Sequence, residues 1–123
     1  MTLTMLQHVN IMTDKLDETV AFYEDILGFE NGERPNFAFP GAWLYCGEEA
    51  VIHLIGVDEQ EKSGSGCIDH VAFAAEGFER YTAFLGDKGY EHETRVVPGG
   101  RLRQIFVRDP NDVLIELNFR ADE

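Results

Sequence analysis

No run of eighteen apolar residues occurs in the chain, so a membrane-spanning helix is not expected. The opening residues MTLTMLQHVNI lack the basic start and apolar stretch of a secretory signal, which makes the cytoplasm the expected compartment. Cysteine is scarce. Cys46 and Cys67 each touch one glycine, form no CxxC pair and cannot build a disulfide framework, so both are expected to be reduced, small and semi-buried. Positive charge is scarce too: ten Lys and Arg stand against 23 Asp and Glu, and the net charge of −13 repels phosphate backbones and anionic membranes. Arg95, Arg101, Arg103 and Arg108 are scattered along one expected hairpin and read as solvated strand charges. A nucleic acid or a membrane is therefore not an expected partner, and a small molecule is.

What is present is 123 residues with an apolar fraction of 44%, enough to bury the core of one soluble domain. Inside it lies a repeat. Leu6-Gln7-His8-Val9-Asn10-Ile11 resembles Ile68-Asp69-His70-Val71-Ala72-Phe73 at an offset of 62, and Val51-Ile52-His53-Leu54-Ile55 resembles Leu114-Ile115-Glu116-Leu117-Asn118 at an offset of 63. After the first match, each half carries a helical pattern. Leu16, Val20, Tyr23 and Leu27 form one, with Asp14 or Asp17 as the candidate cap and Gly28 as the stop; Phe78, Tyr81 and Leu85 form the other, ending at Gly89. Strand-like runs follow at 36–39, 42–46 and 50–57, and again at 91–97, 102–108 and 113–119, with a turn at Asp109-Pro110-Asn111-Asp112. The expected fold is α+β: two βαβββ modules, at about 5–57 and 67–120, joined by a charged, Gly/Ser-rich linker at 58–66 and forming a curved, mostly antiparallel sheet as a single domain over 1–123.

Strand parity sorts the polar residues. Val9, Ile11, Val71 and Phe73 point one way along the first strands while His8 and His70 point the other; on the last strands Ile52, Leu54, Ile115, Leu117 and Phe119 oppose His53 and Glu116. A carboxylate inside VLIELNF is costly unless partnered, and three imidazoles partner it when a cation lies between them. His8, His53, His70 and Glu116, expected at strand centres, are therefore the candidate ligands of one divalent transition metal, whether Zn, Ni, Fe, Mn or Co. His92, just past the second helix stop and without a counterpart in the first half, reads as a surface residue.

HVNI at His8, AFYEDILGF from Ala21 to Phe29, VIHLI around His53, IDHVAF around His70 and IFVRDPNDVLIEL from Ile105 to Leu117 together resemble the vicinal oxygen chelate superfamily, closest to its glyoxalase-like proteins. The superfamily also includes fosfomycin-resistance and bleomycin-resistance proteins, methylmalonyl-CoA epimerase and extradiol dioxygenases. The resemblance spans Leu6 to Phe119 and implies paired modules around a metal, often with dimerisation, so a homodimer is expected. It places His8, His70 and Glu116 on the family's ligand positions. His53 falls where glyoxalase I typically has Glu and the epimerase Gln, leaving Glu116 the only carboxylate of the set.

The leading expectation is a glyoxalase-like lyase or isomerase in which the metal holds adjacent substrate oxygens and stabilises an enediolate while Glu116 moves a proton. The alternatives are an iron-dependent extradiol-type dioxygenase using His8, His70 and Glu116, and a binding or resistance protein with Phe37, Phe39, Trp43 and Tyr45 around an aromatic ligand. Arg34, Arg101, Arg103 and Gln104 are candidates for substrate contact, and Pro98-Gly99-Gly100 for a loop closing over it.

Overall fold

A computed structural model describes residues 1–60 and 64–122. The chain divides into two compact units, Met1–Glu61 and Lys62–Glu123. The first contains β1 (Val9–Thr13), α1 (Leu16–Asp25), β2 (Glu30–Gly32), β3 (Gly41–Cys46) and β4 (Glu49–Gly56); the second contains β5 (Val71–Ala75), α2 (Phe78–Asp87), β6 (Glu93–Val96), β7 (Leu102–Arg108) and β8 (Leu114–Arg120). Each unit folds into one four-stranded sheet, ordered β1-β4-β3-β2 and β5-β8-β7-β6. The first strand of each unit pairs parallel with the last, and the remaining pairings are antiparallel. The expected α+β class and the repeated strand-helix-strand-strand-strand order are thus present, and the sheets are curved rather than closed.

Alternation places one face of each sheet under its helix. In the first unit Ile11, Ala42, Leu44, Ile52 and Leu54 are buried with Phe22, Tyr23 and Ile26; in the second Ile105, Val107, Ile115, Leu117 and Phe119 are buried with Leu85. Phe119 meets Phe78 and Tyr81 of α2 edge-on, at 5.5 and 5.9 Å between ring centres. Each such side chain contributes about 1.5–3 kcal/mol by leaving water. The opposite face of each sheet is mixed, carrying His53 beside Trp43 in the first unit and Glu116 and Asn118 beside Phe106 in the second. No helix among the described residues is long and apolar enough to cross a membrane.

Several details depart from the sequence expectation. The segment 36–39 is not a strand, and the missing strand is β2, which begins six residues earlier at Glu30. Pro35 and Pro40 bracket the segment, and its aromatics serve Arg34, whose guanidinium lies 5.0 Å from the Phe37 ring centre and 5.2 Å from that of Phe39 while donating to the Phe39 carbonyl. Neither Asp14 nor Asp17 caps α1. The Thr13 hydroxyl accepts from the Lys15 amide at 2.9 Å, and the Thr19 hydroxyl donates to the Lys15 carbonyl at 2.7 Å, while Asp14 binds the Lys15 ammonium and the Gln60 amide. Both helices do end at the expected glycines, Gly28 and Gly89, whose φ values of +74° and +73° are left-handed. Cys46 and Cys67 are free, as expected, but exposed rather than semi-buried. Residues 61–63 of the expected linker lie outside the described residues.

Candidate metal centre

The register of the second unit maps the polar face of its sheet. Ala72, Glu116 and Phe106 are paired across β5, β8 and β7, and Phe106 is paired in turn with Glu93 on β6. The next row is Ala74, Asn118, Gln104 and Arg95. His70 precedes β5 by one residue instead of standing at a strand centre, and His8 likewise precedes β1. A residue at the strand entrance is not held by the pleat, so both rings keep freedom to aim. His53 and Glu116 are strand-central, as expected.

A chain of polar contacts runs along this face. Gln104 donates its amide to Asn118 at 3.0 Å, and Asn118 donates to Glu116 Oε2 at 2.8 Å. Glu116 Oε1 lies 3.5 Å from His70 Nε2, and His70 Nδ1 lies 2.8 Å from Asp69 Oδ2. Glu116 is buried, with 8% of its surface exposed, so a carboxylate expensive to desolvate is held with one oxygen satisfied by Asn118 and the other facing an imidazole. The hydrogen bond that His70 donates to Asp69, opposed by partial burial and aided by the Glu116 charge, raises the His70 pKa above the ordinary imidazole value. In the neutral ring with Nδ1–H donated to Asp69, Nε2 keeps the lone pair that a metal ion would take. Two donors each about 2.1 Å from one ion stand no more than about 4.2 Å apart, so the 3.5 Å pair fits a shared divalent ion, and Asp69 and Asn118 supply the outer hydrogen bonds such ligands require.

In the first unit the corresponding residues make a different arrangement. His8 and His53 stack with ring centres 3.8 Å apart and planes 11° apart, and Trp43 stacks on His53 at 4.0 Å and 10°. Trp43 is paired with His53 across β3 and β4, as Phe106 is with Glu116, so each last-strand residue has an aromatic neighbour. Gln7 accepts from His8 Nδ1 at 3.0 Å, the counterpart of Asp69 beside His70. Burial, with the neighbouring His8, lowers the His53 pKa below the ordinary imidazole value. An imidazole binds an ion in its own plane, so two parallel rings serve one ion only after one leaves the stack. Among the described residues no three His, Cys, Asp or Glu side chains form a ready metal-holding group. The structure therefore brings the predicted ligands together as two pairs, one in each unit.

A cavity of about 840 Å³ opens on the polar face of the second unit, lined by His70 and Glu116 together with Tyr90, His92, Arg95 and Phe106. His92, read from sequence as a surface residue, is half-buried on this wall with Nδ1 2.8 Å from the Tyr90 carbonyl. Sequence reasoning also missed Asp69, Gln7 and Asn118; the usable signal was that Gln7 and Asp69 each precede a repeated histidine. Gln104 does line the cavity, while Arg34 is engaged by its own loop. Arg103 is bound to Glu79 on the helix side at 2.6 Å and lies 4.3 Å from the Phe78 ring centre, so it is not a substrate contact in this structure.

Two modules of one topology, each presenting a donor pair on the sheet face opposite its helix, define a class of duplicated α+β proteins. Comparison with known sequences names it: the family model for the Glyoxalase/Bleomycin resistance protein/Dioxygenase superfamily matches residues 5–117, and the chain belongs to that superfamily. It is 32% identical to a glyoxylase I of Arabidopsis thaliana, over 94% of this chain and 70% of that protein, and 31% identical to a lactoylglutathione lyase of Salmonella typhimurium, over 91% and 90%. Among solved structures, a fosfomycin resistance protein of Listeria monocytogenes, an E126Q mutant in complex with Mn(II) and a dihydroxypropylphosphonic acid, matches with a TM-score of 0.75 at 22% identity, covering 97% of this chain and 94% of that one.

Proposed function

We propose that the protein is a divalent-metal-dependent lyase or isomerase of the glyoxalase type, acting on a small molecule with two adjacent oxygens. The observation that carries this reading is the His70 and Glu116 pair, spaced for one ion and oriented from behind by Asp69 and Asn118. His8 and His53 complete the ligand set when the modules pair, within one chain or between two copies in a homodimer, and the single domain over 1–123 is the unit that does so. The lactoylglutathione lyase of Salmonella and the Mn(II) complex of the Listeria protein support lyase chemistry and a divalent metal, here Zn, Ni, Fe, Mn or Co.

When bound, the ion supplies Lewis-acid polarisation of the substrate oxygens, which lowers the cost of removing a proton from the carbon beside them. Glu116 is the base that takes this proton and returns it to the neighbouring carbon. Asn118 fixes the carboxylate so that one oxygen stays aimed at the reacting centre. His70, held by Asp69, stays in one tautomer and orientation, and Phe106 walls one side against water.

The test is to incubate the metal-loaded protein in deuterated water with the hemithioacetal of methylglyoxal and a thiol. Deuterium incorporation or turnover is expected, falling at least about 100-fold in Glu116→Gln. Neither exchange nor turnover, with oxygen uptake on catechols when loaded with iron, would replace this reading by the dioxygenase; binding of aromatic compounds without any reaction would replace it by the resistance-type protein.

A further inference from the structure

Two arginines of the β6–β7 hairpin lie over phenylalanine rings on opposite faces of the sheet, and they differ in one respect. Arg103 is over Phe78 on the helix side and its guanidinium is bound to Glu79. Arg95 is over Phe106 on the cavity side, 5.0 Å from the ring centre, and among the described residues no carboxylate lies within ion-pair distance of it. Glu93, two residues away on the same face, does not reach it. Stacking on an aromatic ring uses the flat side of a guanidinium and leaves its N–H edge available for a bidentate partner.

The row positions give the distance. Phe106 is one strand from Glu116, and Arg95 is on the strand beyond Phe106, in the row of Asn118 and Gln104. Adjacent strands are about 4.8 Å apart, which puts the guanidinium roughly 5–10 Å from the Glu116 end of the cavity. Arg95 and Glu116 both line that cavity, which also carries Glu91 and Glu93. With Asp69 they make the cavity wall negative apart from its arginines, which disfavours a second negative charge on the same ligand.

We infer that Arg95 is a specificity residue for the proposed reaction: it binds the single carboxylate of a small acid whose two adjacent oxygens sit at the His70 and Glu116 end. The substrate class is thus a monocarboxylic acid with a chelating head, its charged end on Arg95 and its middle beside Phe106. This rests on the metal-dependent reading of the site.

The experiment uses the metal-loaded full chain and two probes differing only in the charged end, benzohydroxamate and 4-carboxybenzohydroxamate, whose hydroxamate groups offer two adjacent oxygens to a metal. Calorimetry is expected to show the carboxylated probe binding about tenfold tighter or more, a preference weakened by salt. In Arg95→Gln the ratio of the two affinities is expected to fall to about one, while Arg103→Gln, on the opposite face, keeps it. No preference in the wild type, or a preference that survives in Arg95→Gln, overturns the assignment of Arg95 while leaving the metal reading intact, because benzohydroxamate still binds. If neither probe binds and no metal is taken up, the metal reading fails and this inference with it.

Discussion

At the scale of single residues, the proposed site depends on side chains outside its ligand set. Asp69 holds His70 through Nδ1, and Asn118 holds Glu116 through Oε2. Removing such an outer partner lowers metal affinity about 10–100-fold in comparable centres. Asp69→Asn and Asn118→Ala are accordingly expected to retain the fold, read by circular dichroism, and to weaken metal binding by that factor in competition against a chromophoric chelator. A second expectation concerns His53. Trp43 is the only tryptophan and is stacked on it, so an ion that engages both His8 and His53 must open the stack. Metal titration should change Trp43 emission in the wild type and leave it unchanged in His53→Ala; an unchanged wild-type spectrum at saturating metal would remove His53 from the ligand set. A repeat and strand parity singled out the histidines and Glu116 in sequence, and the structure brings them together as His8 with His53 and His70 with Glu116. Their orienting partners were not legible, because a neighbouring Asp or Gln is indistinguishable from a surface residue until the ring is seen to turn toward it.

At the scale of elements, most strands and both helices were legible from apolar periodicity, since the buried faces leave a strong two-residue or four-residue signal. The failures have specific causes. Phe37 and Phe39 looked like strand residues, but Arg34 recruits their rings and Pro35 and Pro40 stop the ladder. The charged Glu30–Gly32 edge strand shows no apolar alternation to find. The turn at Asp109 was legible and does more than reverse the chain: the buried Asp109 carboxylate accepts from the Asn111 and Val113 amides at 2.8 and 2.9 Å. Asp109→Ala leaves two buried donors without that acceptor, and a loss of about 2 kcal/mol or more is expected in urea unfolding. Leu54→Ala, in the core of the first unit, is expected to cost about 2–5 kcal/mol. A loss below about 1 kcal/mol at Leu54 would mean that β4 does not pack as described.

At the scale of the whole molecule, duplication explains how a chain of this size comes to carry a donor pair twice. Each module buries its own core under its own helix, so the opposite sheet face is free to carry groups that a core would reject. The two copies have diverged in that face. The second offers an oriented imidazole and carboxylate with an open cavity, and the first offers two stacked imidazoles against Trp43. On this account the second module contributes the proton-moving group, and the first contributes imidazole ligands. The division predicts unequal variants: substitution of Glu116 or His70 should abolish metal binding, whereas His53→Ala should weaken it and spare the fold.

The most direct test is metal analysis of the protein purified without chelator, alongside His70→Ala and Glu116→Ala. The account predicts about one equivalent of a divalent transition metal per chain in the wild type, lost from both variants while their melting temperatures stay near that of the metal-free wild type. A wild type that neither carries nor takes up a metal on titration, or variants that retain it fully, would contradict the assignment of His70 and Glu116 as its ligands.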